Sequence, residues 1–197
     1  MKRARVLHNS RPASGVVTDR TIVLDTGESI SADTAHYLAP VEPRQIIATH
    51  LTYRSRCLEY RMSAFPAFPS YFMKPLGSVS HHQATVARPP GCRFLNYEGE
   101  VAVVLGRTCS NVPLERALDY VKGYTAANDF GVHDFRHADR NAMFRVKGQD
   151  GFCPLLTPCS RLARSARSSE VQRNISPAKS VSSRRIGCRD GAPQRRM

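Results

Sequence analysis

Three carboxylates in the middle of the chain have the types and the spacing to bind a divalent metal ion. Glu98 and Glu100 are separated by one residue, and Asp129 follows Asn128 further along the chain. Residues two apart on a β-strand point to the same face, with side-chain origins about 6.5 to 7 Å apart, so both glutamates can reach one cation. Oxygen-only ligands favour Mg²⁺, Mn²⁺ or Ca²⁺. The alternative for an isolated Glu-x-Glu is the solvated face of an amphipathic strand.

The elements that must bring these carboxylates together are a strand, a helix and a second strand. Period-2 alternation predicts a strand over residues 94–105, closed by Gly106-Arg107. Pro113 then starts a predicted helix, in which apolar residues recur at i, i+3, i+4 and i+7. Residues 123–128 predict an extended strand that ends at Asp129. The predicted strand faces are Leu95, Tyr97, Val101 and Val103 on one side, and Asn96, Glu98, Glu100 and Ala102 on the other; the helical positions are Leu114, Ala117, Leu118 and Val121.

The chain divides into three predicted regions. Residues 1–43 contain short apolar runs and an Asp-Thr-Gly turn at 25–27, which predict a small β-rich N-terminal region. Residues 44–158 hold the carboxylates and begin with a predicted buried strand at 44–49. Residues 159–197 hold nine Arg and one Lys against two acidic residues, a net charge of +8 within the +13 of the chain. This last region has no aromatic residue and no periodicity, so we expect a disordered basic tail.

Composition also limits the class of protein. No apolar stretch approaches the roughly 20 residues that span a bilayer, and the N-terminal sequence does not resemble a signal peptide. Six cysteines without a CxxC pair indicate reduced thiols, so we expect a cytoplasmic protein without a membrane partner. Clustered arginines favour polyanion binding through the tail as an alternative function. The tail has no aromatic side chains for base stacking, so we expect no specific nucleic-acid partner.

Several motifs in order resemble the fumarylacetoacetate hydrolase family. The signature strand corresponds to residues 96–107 (NYEGEVAVVLGR), preceded by YFMKP at 71–75 and followed by ALDYVKGY at 117–124, Asn128-Asp129 and RVKGQDGFCP at 145–154. The resemblance implies an α+β, mostly β fold, a mixed β-roll, incomplete here at its C-terminus. It also implies Mg²⁺ or Mn²⁺ held by Glu98, Glu100 and Asp129, and a homodimer.

Residues 131–140 (GVHDFRHADR) are most similar to the family branch that isomerises or decarboxylates unsaturated 2-oxo dicarboxylic acids in aromatic catabolism. That resemblance implies a small-molecule 2-oxo acid substrate, with Lys147 as a catalytic residue on its oxygens and Lys74 as a substrate contact. Arg136 is a candidate for the distal carboxylate, because a guanidinium matches carboxylate geometry. The other candidate proton-transfer groups are the histidines His81, His82, His133 and His137.

Two departures from the family pattern bear on the reaction. Many members carry Asn-Tyr-x-x-His-x-x-Glu in a lid; here Thr52 and Arg56 replace the Asn and His, while Glu59 keeps the glutamate and is the second catalytic candidate. Arginine stays protonated and cannot act as a general base, which disfavours the alternative C–C bond hydrolase. The family's later strands, Asn-Gly turn and Thr-Gly-Thr-Pro loop have no counterpart after residue 158. We hypothesise a shifted reading frame there, in which case an inactive, misfolding fragment is a further alternative.

Overall fold

The fold is described here from a computed structural model of the chain, which describes residues 1–140, 142–157 and 159–160. Most of the predicted basic tail therefore lies outside the described residues. Residues 159–160, the first two of that predicted tail, form the last strand among the described residues. The strands are β1 Lys2–His8, β2 Arg11–Thr18, β3 Thr21–Leu24, β4 Ser29–Ser31, β5 His36–Tyr37, β6 Ile46–His50, β7 Ser70–Lys74, β8 Val79–Ser80, β9 Leu95–Asn96, β10 Gly99–Leu105, β11 Val121–Asn128, β12 Gly131–Val132, β13 Cys153–Pro154 and β14 Cys159–Ser160.

One large sheet joins the N-terminal region to the carboxylate-bearing strands. Its order in the described part of the chain is β10-β11-β14-β1-β2-β3-β4, and β5 also pairs with β1. Three two-stranded pairs accompany it: β6 with β7, β9 with β12, and β8 with β13, the last of them parallel. The helices are short: α1 Arg54–Glu59, α2 Phe144–Lys147, and 3-10 turns at Leu76–Ser78, Leu114–Tyr120 and His133–Phe135.

The N-terminal strands form where the sequence predicts them. β1 and β2 make a hairpin whose two turn residues have positive φ, which matches the right-handed twist of the flanking strands. Alternate residues of β1 and β3 are buried and form one small core, made by Ala4, Val6, Ile22 and Leu24. Gly15 of β2 lies so close to β3 that an added Cβ would stand 2.5 Å from the carbonyl oxygen of Val23. Only glycine fits there.

The predicted strand over 94–105 is wrong as a single element. It is divided into β9, which pairs with β12, and β10, which pairs with β11. Tyr97 and Glu98 lie between them, and the amide of Glu98 donates to Oδ1 of Asn128 at 2.9 Å. The side chain of Asn128 thus takes the place of a ladder partner between the two strands. The first glutamate of the pair lies in this interruption.

The predicted α-helix after Pro113 is also wrong. Residues Leu114–Tyr120 form 3-10 turns, none of their side chains is buried, and Leu114 is 89% exposed. Val121, expected on the apolar face of that helix, instead begins β11. A 3-10 helix advances three residues per turn, so an i, i+3, i+4, i+7 pattern no longer forms one stripe.

The predicted buried strand at 44–49 exists as β6, but it is not buried. It pairs only with β7 among the described strands, and Ile47 and Met73, which face each other across this pair, are both exposed. A run of apolar residues does not distinguish a core strand from an edge ribbon, because the missing information is what packs on it. The segment between β6 and β7 carries α1 and the lid motif.

Candidate active site

The antiparallel pairing of β10 and β11 brings the predicted carboxylates together. Gly99 pairs with Asn128 and Glu100 with Ala127, so the end of β11 lies beside the start of β10. The amide of Asp129 donates to the carbonyl oxygen of Glu98 at 2.8 Å. The two strands therefore end next to each other, which is the condition for all three carboxylates to reach one site.

The surroundings of Glu100 disfavour its negative charge. Burial raises its pKa, and the negative charges of Glu98 and Asp129 raise it further. The hydroxyl of Tyr53 hydrogen-bonds to the Glu100 carboxylate and opposes this shift. A cluster of three carboxylates that penalises its own charge in this way favours a bound cation.

Lys147 lies within this cluster. Its side chain is 3% exposed, and Nζ lies 2.7 Å from Oε2 of Glu98 and 3.0 Å from Oδ2 of Asp129. Nζ also donates to the main-chain oxygen of Asp129 at 3.1 Å. The lysine reaches this position along the backbone of Gly131, where an added Cβ would stand 3.2 Å from Cδ and Cε of Lys147.

Asp139, which the sequence did not single out, holds the helix that carries Lys147. Oδ2 of Asp139 accepts hydrogen bonds from the amides of Arg145 and Val146 at 2.8 and 3.2 Å, so it satisfies the open donors at the start of α2. Met143, just before the helix, has a left-handed backbone. A capping residue adjacent to a helix is visible in sequence, but one that caps from four residues earlier is not.

Lys74 lies behind the carboxylates rather than in front of them. Its side chain is 2% exposed, and Nζ contacts Oδ1 of Asp129 and lies 3.5 Å from the carbonyl oxygen of Phe152. It does not line the groove described below. The substrate contact expected for Lys74 stays a prediction; in this structure the ammonium contacts Asp129.

A groove of about 420 Å³ opens over the carboxylates. The lid segment forms one wall and residues 129–147 form the other. Its lining holds all of the predicted site residues except Lys74, namely Glu59, Glu98, Glu100, Asp129, Arg136 and Lys147. Of the histidines considered as proton-transfer groups, His133 lines the groove, whereas His81, His82 and His137 do not.

Two polar atoms in the groove wall are buried without a hydrogen-bond partner among the described residues. They are Oδ1 of Asn96 and Nε2 of His133. The nearest carboxylate oxygen to the latter, Oε1 of Glu98, is 3.8 Å away, beyond hydrogen-bond distance. Burial lowers the pKa of His133, and Lys147 lowers it further. Buried polar atoms without partners mark the groove as a place that a polar ligand would complete.

The lid contributes its own ion pair. Nη1 of Arg56 lies 2.5 Å from Oε2 of Glu59, and Nη2 donates to the hydroxyl of Tyr60 at 3.0 Å. The helix is fixed beneath by Cys57, which is buried. The arginine that replaces the expected lid histidine therefore projects into the groove and is neutralised there by Glu59.

A family model agrees with the resemblance found in the sequence. Residues 45–172 match the model described as fumarylacetoacetate (FAA) hydrolase C-terminal, which covers more than half of the chain. The chain belongs to the fumarylacetoacetate hydrolase family. The family prediction is thereby confirmed.

Relatives within the fumarylacetoacetate hydrolase family support the same conclusion. An uncharacterized protein of Archaeoglobus fulgidus is 36% identical over 137 residues, which are 70% of this chain and 54% of that protein. The homoprotocatechuate catabolism bifunctional isomerase/decarboxylase of Escherichia coli is 32% identical over 112 residues, 57% of this chain and 26% of that protein. The chain spans about half the length, or less, of the curated relatives it matches.

A solved structure of the fumarylacetoacetate hydrolase fold superposes well on the chain. The 5-carboxymethyl-2-hydroxymuconate delta-isomerase of Mycobacterium smegmatis matches with a TM-score of 0.72 and 27% identity, covering 83% of this chain and 67% of that one. The described residues are mostly strand, with short helices. The predicted fold class, an α+β and mostly β roll of this family, is confirmed.

The donor set fits the divalent metal that the family implies. Three carboxylates supply oxygen ligands, and the raised pKa of Glu100 reflects a site with excess negative charge. Within the described residues, no three His, Cys, Asp or Glu side chains are already grouped closely enough to hold an ion. The Lys147 ammonium lies between Glu98 and Asp129 and balances part of their charge. The oxygen ligand types therefore fit the metal, and in this structure Lys147 supplies positive charge next to two of the three carboxylates.

Proposed function

We propose that the protein is a divalent-metal-dependent enzyme that isomerises or decarboxylates unsaturated 2-oxo dicarboxylic acids. The observation that carries this proposal is the composition of one groove, whose lining holds three carboxylates, Lys147 and two arginines, Arg56 and Arg136. Such a groove has sites for both ends of a dianionic substrate. The relatives named for isomerase and decarboxylase activities support the same class of reaction.

Glu98, Glu100 and Asp129 are the residues proposed to hold Mg²⁺ or Mn²⁺. A hard cation bound there would withdraw charge from a 2-oxo acid and stabilise the enolate left by proton loss or decarboxylation. These carboxylates would hold that cation in the groove, where Asp129 is 13% exposed and Glu98 is 30% exposed. Substrate oxygens can reach this depth only through the open side of the groove.

Lys147 is proposed as the catalytic residue that contacts the substrate oxygens. Its ammonium already lies within hydrogen-bond distance of two carboxylates at the base of the groove. When a cation takes over the charge of these carboxylates, Nζ can donate instead to the substrate carboxylate or keto oxygen. Developing negative charge on that oxygen strengthens such a hydrogen bond, so the lysine stabilises the transition state more than the ground state.

Glu59 and Arg136 are proposed to act further out in the groove. Arg136 has the geometry to pair with the distal carboxylate of the substrate. Glu59 is the carboxylate proposed to take a proton from one substrate carbon and return it to another, or to guide proton return after loss of CO₂. Because Arg56 stands where a lid histidine would activate water, isomerisation and decarboxylation fit this groove better than hydrolysis.

One preparation of the protein tests both the proposed metal site and the proposed substrate class. The purified chain is titrated with Mn²⁺ by calorimetry and assayed for isomerisation of 2-hydroxyhepta-2,4-diene-1,7-dioate and for decarboxylation of 2-hydroxymuconate, which are both enol forms of unsaturated 2-oxo dicarboxylic acids. We expect Mn²⁺ binding and metal-dependent turnover of at least one acid, with both lost in Glu100→Ala. Glu115→Ala, an exposed glutamate outside the groove, is the matched control. Mn²⁺ binding that Glu100→Ala leaves unchanged would refute the proposed metal site.

Location and assembly stay predictions. No helix of the described residues is long and apolar enough to cross a membrane. A cytoplasmic location and a homodimer remain expectations from the sequence. The alternative of polyanion binding depends on the basic tail, which lies almost wholly outside the described residues.

A further inference from the structure

The lid arginine, Arg56, lines the groove and is held there by contacts with other lid residues. Its guanidinium lines the groove and is 43% exposed, so it is accessible from the groove. It uses Nη1 for Glu59 and Nη2 for the hydroxyl of Tyr60, and its plane lies over the Tyr60 ring at 4.6 Å. The aromatic ring and the two acceptors hold the guanidinium in one orientation.

A second arginine lines the same groove. Arg136 and Arg56 both belong to its lining, together with the carboxylate cluster and Lys147. Cationic groups and carboxylates thus share one groove. Such a groove suits a molecule with two anionic ends, one of which would chelate a metal held by the carboxylates.

The carboxylate of Glu59 binds the Arg56 guanidinium as a substrate carboxylate would. The contact between Oε2 of Glu59 and Nη1 of Arg56 is an ion pair between partly exposed groups, 62% and 43% exposed, and exposed pairs of this kind contribute little to stability. An incoming carboxylate can therefore replace Glu59 at small cost. The fork of an arginine offers paired N–H donors that suit this exchange better than the single ammonium of a lysine.

We propose that Arg56 is a specificity-determining residue that selects substrates carrying a second carboxylate, which displaces Glu59 from its guanidinium. This inference rests on the proposed function, because it assumes that the 2-oxo acid end of the substrate binds at the base of the groove. It assigns to the lid a role in recognition, in place of the acid–base role that a histidine at this position would serve.

The test compares two five-carbon acids that differ only at the distal end. Binding of 2-oxoglutarate and of 2-oxopentanoate is measured by calorimetry in saturating Mn²⁺, on the full chain. A charge-assisted hydrogen bond strengthens binding, and partial exposure keeps its effect small. We expect 2-oxoglutarate to bind about tenfold more tightly than 2-oxopentanoate. Arg56→Gln should lower this ratio several-fold, with Arg136 supplying the preference that remains, and leave 2-oxopentanoate binding unchanged.

Two further variants separate recognition from structure. Arg54→Gln is the matched control, because Arg54 lies on the same helix over the ring of Phe65 at 4.4 Å but does not line the groove; it should keep the tenfold ratio. Glu59→Gln removes the competing carboxylate and should tighten 2-oxoglutarate binding several-fold. A structural role for the ion pair predicts weaker binding in both Arg56→Gln and Glu59→Gln.

The outcomes distinguish this inference from the function on which it rests. If wild type binds both acids equally in the presence of Mn²⁺, Arg56 does not select a second carboxylate, whereas the proposed substrate class retains its 2-oxo acid site. An unchanged ratio in Arg56→Gln overturns the inference in the same way. If neither acid binds, the proposed function fails and the inference fails with it.

Discussion

Replacement of Lys74 by methionine tests the arrangement behind the site, because it removes a buried charge and keeps the length of the side chain. Loss of one partner of a buried ion pair costs about 3 to 5 kcal/mol, since the other charge is left unpaired. Asp129 keeps a second ammonium, Nζ of Lys147, 3.0 Å from Oδ2. We therefore expect Lys74→Met to lower the free energy of unfolding by about 3 kcal/mol, the lower end of the range.

Urea unfolding followed by circular dichroism measures this change, and a double-mutant cycle assigns it. Asp129→Asn removes the charge that Lys74 neutralises, so Lys74→Met should cost less in the Asp129→Asn background. We expect a coupling energy of about 2 kcal/mol, within the range for residues in direct contact. The control is Lys122→Met, an exposed strand lysine, for which a change within about 0.5 kcal/mol is expected.

A coupling energy near zero would refute the reasoning, because Lys74 would then not contact Asp129. A loss of 2-oxo acid binding in Lys74→Met with no loss of stability would instead restore the sequence interpretation, in which Lys74 touches substrate. The two interpretations of this lysine thus predict different measurements.

Three further predictions follow from individual contacts. Gly131→Ala should displace Lys147 and lower kcat/KM by about tenfold with little change in Mn²⁺ affinity, since an added Cβ meets the lysine stem at 3.2 Å; steady-state kinetics beside Mn²⁺ titration checks this. Asp139→Ala should cost about 1 to 2 kcal/mol in urea unfolding, because the first amides of α2 lose their acceptor. Burial and the neighbouring His81 lower the pKa of His82. As the pH falls below about 6.5, the His82 imidazole therefore binds a proton more readily in the unfolded chain than in the folded chain, and the free energy of unfolding should decrease. Unfolding at pH 7.5 and 5.5 should show a smaller difference in His82→Gln.

The parts of the site that could be predicted from sequence are those determined by local pairing. Glu98, Glu100 and Asp129 share one hairpin, so the pairing of β10 with β11 brings them together whatever packs around it. Family motifs then pointed to Lys147, which the structure places among them. Glu59 and Arg136 also line the groove, although their roles stay predictions.

The parts that could not be predicted depend on long-range packing. Lys74 belongs to a motif associated with the site, but only the packing of β7 against Asp129 and Phe152 shows that its ammonium points to the back of a carboxylate. The helical periodicity at Leu114–Tyr120 failed because no described element covers its apolar side, so packing did not select an α-helix. Tyr53 and Asn96 belong to recognised motifs and line the groove, but the sequence did not single them out as site residues.

The two-residue strand β14 has a consequence for how the chain folds. Its backbone pairs with Lys2 and Arg3 on one side and with Tyr124 on the other, so it links β1 to the last of the described residues. During synthesis, the hairpin of β1 and β2 can form early, but its junction with β11 must wait for residues 159–160 to emerge. Such contacts between distant positions raise contact order and slow folding. The edge of β1 is a template for pairing with other chains during that interval. We expect the last step of folding to be closure of this seam, and the amides of β1 at Lys2 and Arg3 to be the first to exchange when it opens.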